Sequence, residues 1–288
     1  MKVVITGASG YIGGTLARRF VAAGCEVLGI DRIESPIPSS HRLIRASLNE
    51  PVDAEIFRFA DLVIHCAHDM SPGSYRRNVD GTRKWADQAR ECGARNQLFL
   101  TSVSAHRRAP SEYGKAKFEL ESYFLEKGEH VVRPGLVAGP GGSFAAIVGM
   151  LRNRAVVPVP GANKIRLALT DIQTLSQVIL NFEKLKKGTC HNLIQPEWPG
   201  FWDFAKKVRH HFGVQGMTIP LNVQAAKLVL WVAGALRFPL PATLNYASFC
   251  ALEQSQKYGY ESSYGILGLP ARSVEELLEV YRGGMVER

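Results

Sequence analysis

The chain has 288 residues, 46% of them hydrophobic and 21% charged, with a formal net charge of +9, enough apolar content for a sizeable core in one large or two small domains. The basic residues are dispersed, as in "RRNVDGTRK" and "FEKLKK", which argues against a nucleic-acid partner and favours a small phosphate-bearing molecule. Cys25, Cys66, Cys92, Cys190 and Cys250 form no C-x-x-C pair, so neither a disulfide frame nor a metal site is expected.

In chain order, "MKVVITG" reads as a strand from the first residues, which predicts no signal peptide and a cytoplasmic location. The stretch "VVITGASGYIGG" then places Gly7, Gly10 and Gly13 between that strand and the helical "TLARRFVAAG". Without side chains there, the backbone turns tightly and lets a pyrophosphate approach the positive end of the helix. The second strand, "EVLGID", ends in Asp31, 18 residues after Gly13. An acid at that place accepts both ribose hydroxyls of NAD and repels the extra phosphate of NADP. Arg32, beside it, can pair with a 2′-phosphate; NAD is therefore expected, with NADP the alternative.

"HRLIRA", "DLVIHCA", "QLFLTSVS" and "EHVVRPG" continue the strands, alternating with helical segments such as "NVDGTRKWADQARECG". That alternation predicts an α/β, Rossmann-type, doubly wound parallel sheet. "IRLALTDIQ" and "TCHNLIQ" predict a further strand pair around the helical "TLSQVILNFEKL". From about residue 196 the pattern changes to helices broken by Pro and Gly, including "FWDFAKKVRHHFG", "VQAAKLVLWVAGALRF" and "SVEELLEVYRGG". The expected division is a dinucleotide-binding domain over 1–138 and 162–195 and a smaller, mostly helical substrate subdomain over 139–161 and 196–288. "AAKLVLWVAGAL" falls short of the roughly 20 residues of a membrane span, so a core or dimer helix is expected rather than stable membrane insertion.

"SEYGKAK" carries Tyr113 and Lys117, four apart and on one helix face. Just upstream, "FLTSVS" offers Ser102 and Ser104 at the end of a strand, on the edge where open parallel sheets bind ligands. A tyrosine titrates near pH 10, so a base working at neutral pH needs a nearby cation; Lys117 and an oxidised nicotinamide ring can supply that field. Asn78 is expected to make a hydrogen bond at a helix start, His65 and His68 to pack near the cofactor rather than bind metal, and His210 and His211 to lie on a solvated face.

Taken together, "TGASGYIGG", "DLVIHCAH", "NVDGT", "TSVS" with "YGKAK", and "VVRPGLVAGPGG" resemble the extended short-chain dehydrogenase/reductases, the NAD-dependent epimerase/dehydratase family. The resemblance covers nearly the whole chain. It implies that Tyr113 is the acid/base, that Lys117 binds the nicotinamide ribose and lowers the tyrosine pKa, and that Ser102, preferred to Ser104, bonds the reacting oxygen. It further implies a cofactor site along Gly7, Gly10, Tyr11, Ile12, Gly13, Asp31 and Arg32. Ser47 and Leu48 stand where the family often has an acid near the adenine, while Cys66, Ala67 and His68 follow the fourth strand and Pro134 anchors a nearby loop.

The segment from "RPGLVAGPGG" to "NKIRLALTDI" looks like members acting at C4 of nucleotide sugars, which implies substrate contacts at Ser104, Ser143, Phe144 and Arg166. In the turn from Asn163 to Arg166, Arg166 is either a bidentate phosphate ligand or an exposed sheet-edge residue. The expected activity is NAD-dependent hydride exchange at C4 of a nucleoside-diphosphate sugar, as epimerase or 4-ketoreductase. Leu136 and "VLWVAGAL" motivate the alternative of an NAD(P)H-dependent reductase of an apolar carbonyl compound, as in the 3β-hydroxysteroid dehydrogenase and dihydroflavonol reductase branches. A third possibility is a non-catalytic NAD(P)-sensing protein. The resemblance also implies a homodimer formed through two helices of the cofactor domain.

Overall fold

Val3, Val4 and Ile5 are fully buried in β1 (Lys2–Thr6), the continuous apolar run a parallel strand needs when helices cover both sheet faces. The computed structural model describes residues 1–33, 42–48, 50–58, 60–160, 164–236 and 246–286. Among these the further strands are β2 (Glu26–Asp31), β3 (Arg42–Arg45), β4 (Leu62–His65), β5 (Gln97–Leu100), β6 (His130–Pro134), β7 (Leu136–Ala138), β8 (Val156–Pro160), β9 (Leu169–Asp171), β10 (Cys190–Leu193) and β11 (Met217–Leu221). The helices are α1 (Tyr11–Ala22), α2 (Tyr75–Glu91), α3 (Glu112–Glu126), α4 (Gly142–Arg152), α5 (Ile172–Leu180), α6 (Phe201–His211), α7 (Val223–Ala235), α8 (Tyr246–Ser255) and α9 (Val274–Val286).

The chain divides into two compact units, one of residues 1–108, 112–133 and 173–191, the other of residues 109–111, 134–172 and 192–288. The second unit thus takes in β7 and β9, which the sequence placed with the first domain. The first is built on a seven-stranded sheet in the order β10-β6-β5-β4-β1-β2-β3. Its β3–β2, β2–β1, β1–β4, β4–β5 and β5–β6 pairings are all parallel. The strand order reverses between β1 and β4, and that switch point opens a crevice beyond the strands' carboxyl ends.

α1 turns Leu16, Ala17 and Phe20 inward and Arg18 and Arg19 outward. α2 buries Val79, Trp85, Ala86 and Ala89 at helical spacing and packs beside α3. Gly81, from the "NVDGT" segment, lets α2 lie against the chain after β3: a Cβ there would sit 2.1 Å from the Leu48 carbonyl oxygen.

In the second unit β7 pairs with β9 and β8 with β11, both in parallel. Phe144, Val148, Leu151, Phe204, Val208, Leu277 and Tyr281 make the core among α4, α6 and α9. Arg209 is buried and donates to the carbonyls of Leu151, Arg154 and Ala155 at 3.0, 2.8 and 3.0 Å, closing the end of α4. Ser273 and Glu276 form a reciprocal capping box at the start of α9.

Two expectations need correction. "IRLALTDIQ" and "TCHNLIQ" do form strands, but not with each other: β9 pairs with β7, and β10 joins the edge of the large sheet beside β6. Of the core-or-dimer expectation for α7, the core arm does not hold. Only Ala226 is buried, while Leu228, Val229, Trp231 and Leu236 are exposed; Arg237 and Phe238, which the sequence added to this helix, lie outside the described residues. Among the described residues no helix is long and apolar enough to cross a membrane.

Replacing Gly81 by Ala should lower the urea midpoint, at a cost of about 1–3 kcal/mol, because backbone must move to admit the methyl group. Gly149→Ala, in α4, where an added methyl group would meet nothing within 4 Å, should leave stability equal or raise it by about 0.5–1 kcal/mol. Equal midpoints for the two variants would contradict this packing.

Candidate active site

The glycine loop is shaped by the side chains it lacks. Gly7 has φ +73°, and a Cβ on it would fall 2.7 Å from the Ala67 nitrogen. A Cβ on Gly13 would fall 2.2 Å from the Gly7 carbonyl oxygen, so α1 meets the loop only because Gly13 lacks one. The loop is tied down by Gly7 N to Ile30 O at 2.8 Å and Gly10 N to Gly7 O at 3.0 Å. Gly10 caps α1 without a side-chain bond, and the first turn has no acid. The helix start therefore keeps its positive potential for an incoming anion.

Asp31 closes one side of this loop. Its carboxylate accepts from Ser9 N at 2.9 Å and from Arg32 N at 2.7 Å. A cleft of about 270 Å³ opens here, lined by Gly7, Gly10, Asp31, Arg32, Ser47, Leu48, Cys66, Ala67 and His68 from the expected cofactor set. Ser9, Asp69, Arg77 and Trp85 line it too, without having been expected there. Tyr11, Ile12 and Gly13 form the first turn of α1 behind it. The cradle closed to any Cβ, the uncapped helix start and the acid at the end of β2 fit the pyrophosphate and adenosine ribose of a dinucleotide.

His68 connects the cleft to the chemical group. Its ring packs edge-on against Tyr113, centroids 4.8 Å apart. Tyr113 is hydrogen-bonded to Ser102, and Ser102 Oγ accepts from Ser104 N at 3.2 Å. Burial raises the Tyr113 pKa, and the Ser102 bond works against that rise. Lys117 is buried on the same face of α3; its Nζ donates to Leu100 O at 2.6 Å and lies 6.0 Å from the Tyr113 ring centre. Burial lowers the Lys117 pKa to about 8, so the ammonium remains mostly protonated at neutral pH. Burial, with the Lys117 charge second, lowers His68 to about 3 and leaves it a neutral ring. Cys66 is pushed up to about 12 by burial and stays a thiol.

Around this group the side chains are structural. His65 Nε2 meets Gln97 Oε1 at 2.8 Å, and burial lowers its pKa to about 4. Glu121 bonds both Thr101 and Arg133 beneath α3. Asn78 clamps the loop after β4, accepting from Asp69 N at 2.7 Å and donating to Asp69 O at 2.8 Å. Sequence spacing puts Asn78 at the helix start but does not reveal the residue it holds.

The remaining candidates belong to the second unit. Pro134 is buried at the end of β6, and Ser143 is half-buried in the first turn of α4. Phe144 is a correction: it is fully buried, 5.8 Å from the Phe204 ring and 6.0 Å from Tyr281, and exposes no surface to a substrate. Arg166 is exposed and lines a separate cleft of about 710 Å³ with Trp198, Lys207, Tyr260 and Arg272; Asn163, the other end of its turn, lies outside the described residues. His211 is half-buried, 3.6 Å from Glu279 and against Phe212, rather than on a solvated face.

Comparison with known proteins bears on both units. Residues 3–144 match the model of the NAD dependent epimerase/dehydratase family. The chain spans between 12% and 32% of the length of the curated relatives it matches. One is a 3-beta-hydroxysteroid dehydrogenase of Mycolicibacterium neoaurum, 27% identical over 119 residues, 36% of this chain and 32% of that protein. Among solved structures, an NAD-dependent NDP-hexosamine 5,6-dehydratase, TunA, involved in tunicamycin biosynthesis, superposes with TM-score 0.72 at 18% identity, covering 100% of this chain and 98% of that one. A UDP-glucose 4-epimerase with UDP-glucose from Thermotoga maritima superposes with TM-score 0.73 at 16% identity, covering 100% and 99%. At these identities the structures show a shared fold.

The buried neutral histidines predict acid lability. A folded pKa below the unfolded 6.5 means that the unfolded chain takes up protons first, so stability falls as pH drops from 6.5 towards 4. His65 alone contributes a loss of about 3 kcal/mol across that range, and His130, also lowered to about 4 by burial, adds to it. The urea midpoint should fall steadily between pH 6.5 and 4.5; a constant midpoint would contradict neutral buried rings.

Proposed function

For a chain whose residues 3–144 match the model of the NAD dependent epimerase/dehydratase family, we propose that it binds NAD in the first unit's cleft and exchanges hydride at C4 of a nucleoside-diphosphate sugar. The observation that carries this is the placement of hydrogen-bonded Tyr113 and Ser102, with Lys117, beside a glycine-cradled cleft that His68 also lines. Gly7, Gly10 and Gly13 admit the pyrophosphate to the start of α1, and Asp31 accepts from the adenosine ribose. The bound nicotinamide supplies the hydride acceptor and donor, chemistry that no side chain offers.

Tyr113 takes or returns the proton of the sugar hydroxyl, and Ser102 holds that oxygen by a hydrogen bond. Tyr113 acts as base in its phenolate form and becomes the phenol on taking the proton; Lys117 stabilises that phenolate beforehand, against the rise that burial imposes on the tyrosine pKa. Its own fall to about 8 limits that help to pH values below about 8. Redox-neutral epimerisation fits the acid at position 31 better than net reduction does. The homodimer through helices of the first unit belongs to this proposal, and light scattering at working concentration should give twice the chain mass.

Reduction of an apolar carbonyl compound is the second possibility, favoured by the match to the 3-beta-hydroxysteroid dehydrogenase. Calorimetry with UDP and dTDP separates the two: tight binding supports the sugar substrate, and no binding favours the carbonyl compound.

Freshly purified protein, denatured and examined by mass spectrometry, should release NAD in near-stoichiometric amount. Tyr113→Phe should lower turnover of UDP or dTDP sugars by at least about 100-fold while still retaining dinucleotide. Full activity in that variant removes Tyr113 from the mechanism.

A further inference from the structure

Four charged side chains share the first unit's cleft: Asp31, Arg32, Asp69 and Arg77. Asp31 and Arg32 are legible as a cofactor-selecting pair from their place at the end of β2, but the other two are not. Asp69 follows β4 and is only 7% exposed. Its Oδ1 accepts from Ser71 N at 2.9 Å and Ser71 Oγ at 2.6 Å, and lies 3.5 Å from Arg32 Nη1; its Oδ2 takes Arg77 Nη1. The backbone beneath it is held as firmly, by the two Asn78 bonds and by Ser74 Oγ donating to Asp69 O at 2.7 Å. With Ser71 as the largest contribution, these bonds hold the carboxyl well below the usual carboxylate range, so it is charged at any working pH.

We propose that Asp69 is a positioning residue for cofactor choice, engaging Arg32 and Arg77 so that neither guanidinium is free for a 2′-phosphate and the cleft selects NAD over NADP. This rests on the dinucleotide role of the cleft proposed above. Two carboxylates and two guanidinium groups make the set neutral. A ribose hydroxyl needs only an acceptor there, and Asp31 is one. A 2′-phosphate brings about two negative charges. It could gain Arg32 only by drawing it from Asp69 while approaching Asp31, so each attraction comes with a repulsion.

The Arg32–Asp69 contact is long and Arg32 is 54% exposed, so the pair adds little to stability; what it decides is where the charge sits. The asymmetry of burial assigns the roles. Asp69 is fixed by its turn, and the arginines come to it.

Binding of NADH and NADPH, read by nucleotide fluorescence, tests this on Asp69→Asn, Asp69→Glu, Arg32→Gln and the Asp69→Asn/Arg32→Gln double variant. Asp69→Asn can still accept from Ser71 and should raise NADPH affinity relative to NADH by about tenfold, the effect of releasing one guanidinium to a phosphate. The double variant, in which only Arg77 is released, should lose the share of that gain that Arg32 supplies, and Asp69→Glu, which keeps the charge, should keep the native preference. Arg32→Gln by itself should cost NADPH binding less than about threefold. A folded Asp69→Asn with an unchanged ratio overturns the inference. So does a tenfold loss of NADPH binding in Arg32→Gln alone, which decides the matter if Asp69→Asn does not fold. An unaltered protein that binds neither dinucleotide removes the proposed role of the cleft itself, whereas NADH binding with one ratio throughout removes only the role of Asp69.

Discussion

The first unit depends on a backbone-to-backbone contact that a single methyl group would prevent. Gly13 in α1 faces the Gly7 carbonyl, and Gly7 faces the chain after β4 at Ala67, each closer than any Cβ allows. Three pieces of chain, the β1 end, the first turn of α1 and the β4 end, are thereby brought together where the strand order reverses. A cleft floored by peptide groups results, and the donors of that floor are backbone N–H groups. Such a floor is rigid and carries its positive potential without a titrating group.

Charge at the rim of this cleft is handled by burial and pairing. Lys117 lies under Tyr113, donating to Leu100 O and with the Phe99 ring 4.7 Å away. Burial makes its charge costly and lowers its pKa. Deeper in, Glu121 and Arg133 share a buried ion pair that also engages Thr101 and braces the sheet's carboxyl edge from behind. His68 and Cys66 remain neutral and serve as wall. The second unit follows another logic: its core is an aromatic cluster of Phe144, Phe204 and Tyr281, and its buried cation, Arg209, is satisfied by carbonyls.

Much of this was legible in residue order because it is local. Apolar runs of β-branched residues specify β1, β2 and β4, and glycines at 7, 10 and 13 specify a turn that backbone must approach. Tyr113 and Lys117 share a face by helical period alone. The pairing of β9 with β7, and of β10 with the large sheet, was not legible, since short apolar runs carry no label for their neighbour. Phe144 misled for a similar reason. Its position after "GPG" suggested substrate, but the face it presents is set by where α4 meets α6 and α9.

The sequence by itself therefore determined the sheet class, the glycine cradle, the acid that ends β2 and the shared helix face of Tyr113 and Lys117, each written within a few consecutive residues or one helical turn. Only the tertiary structure decided which charges share the cleft. Asp69 reaches Arg32 and Arg77 because β4 ends beside β1 and α2 begins next to both. That proximity arises from strand order, so no spacing along the chain encodes it.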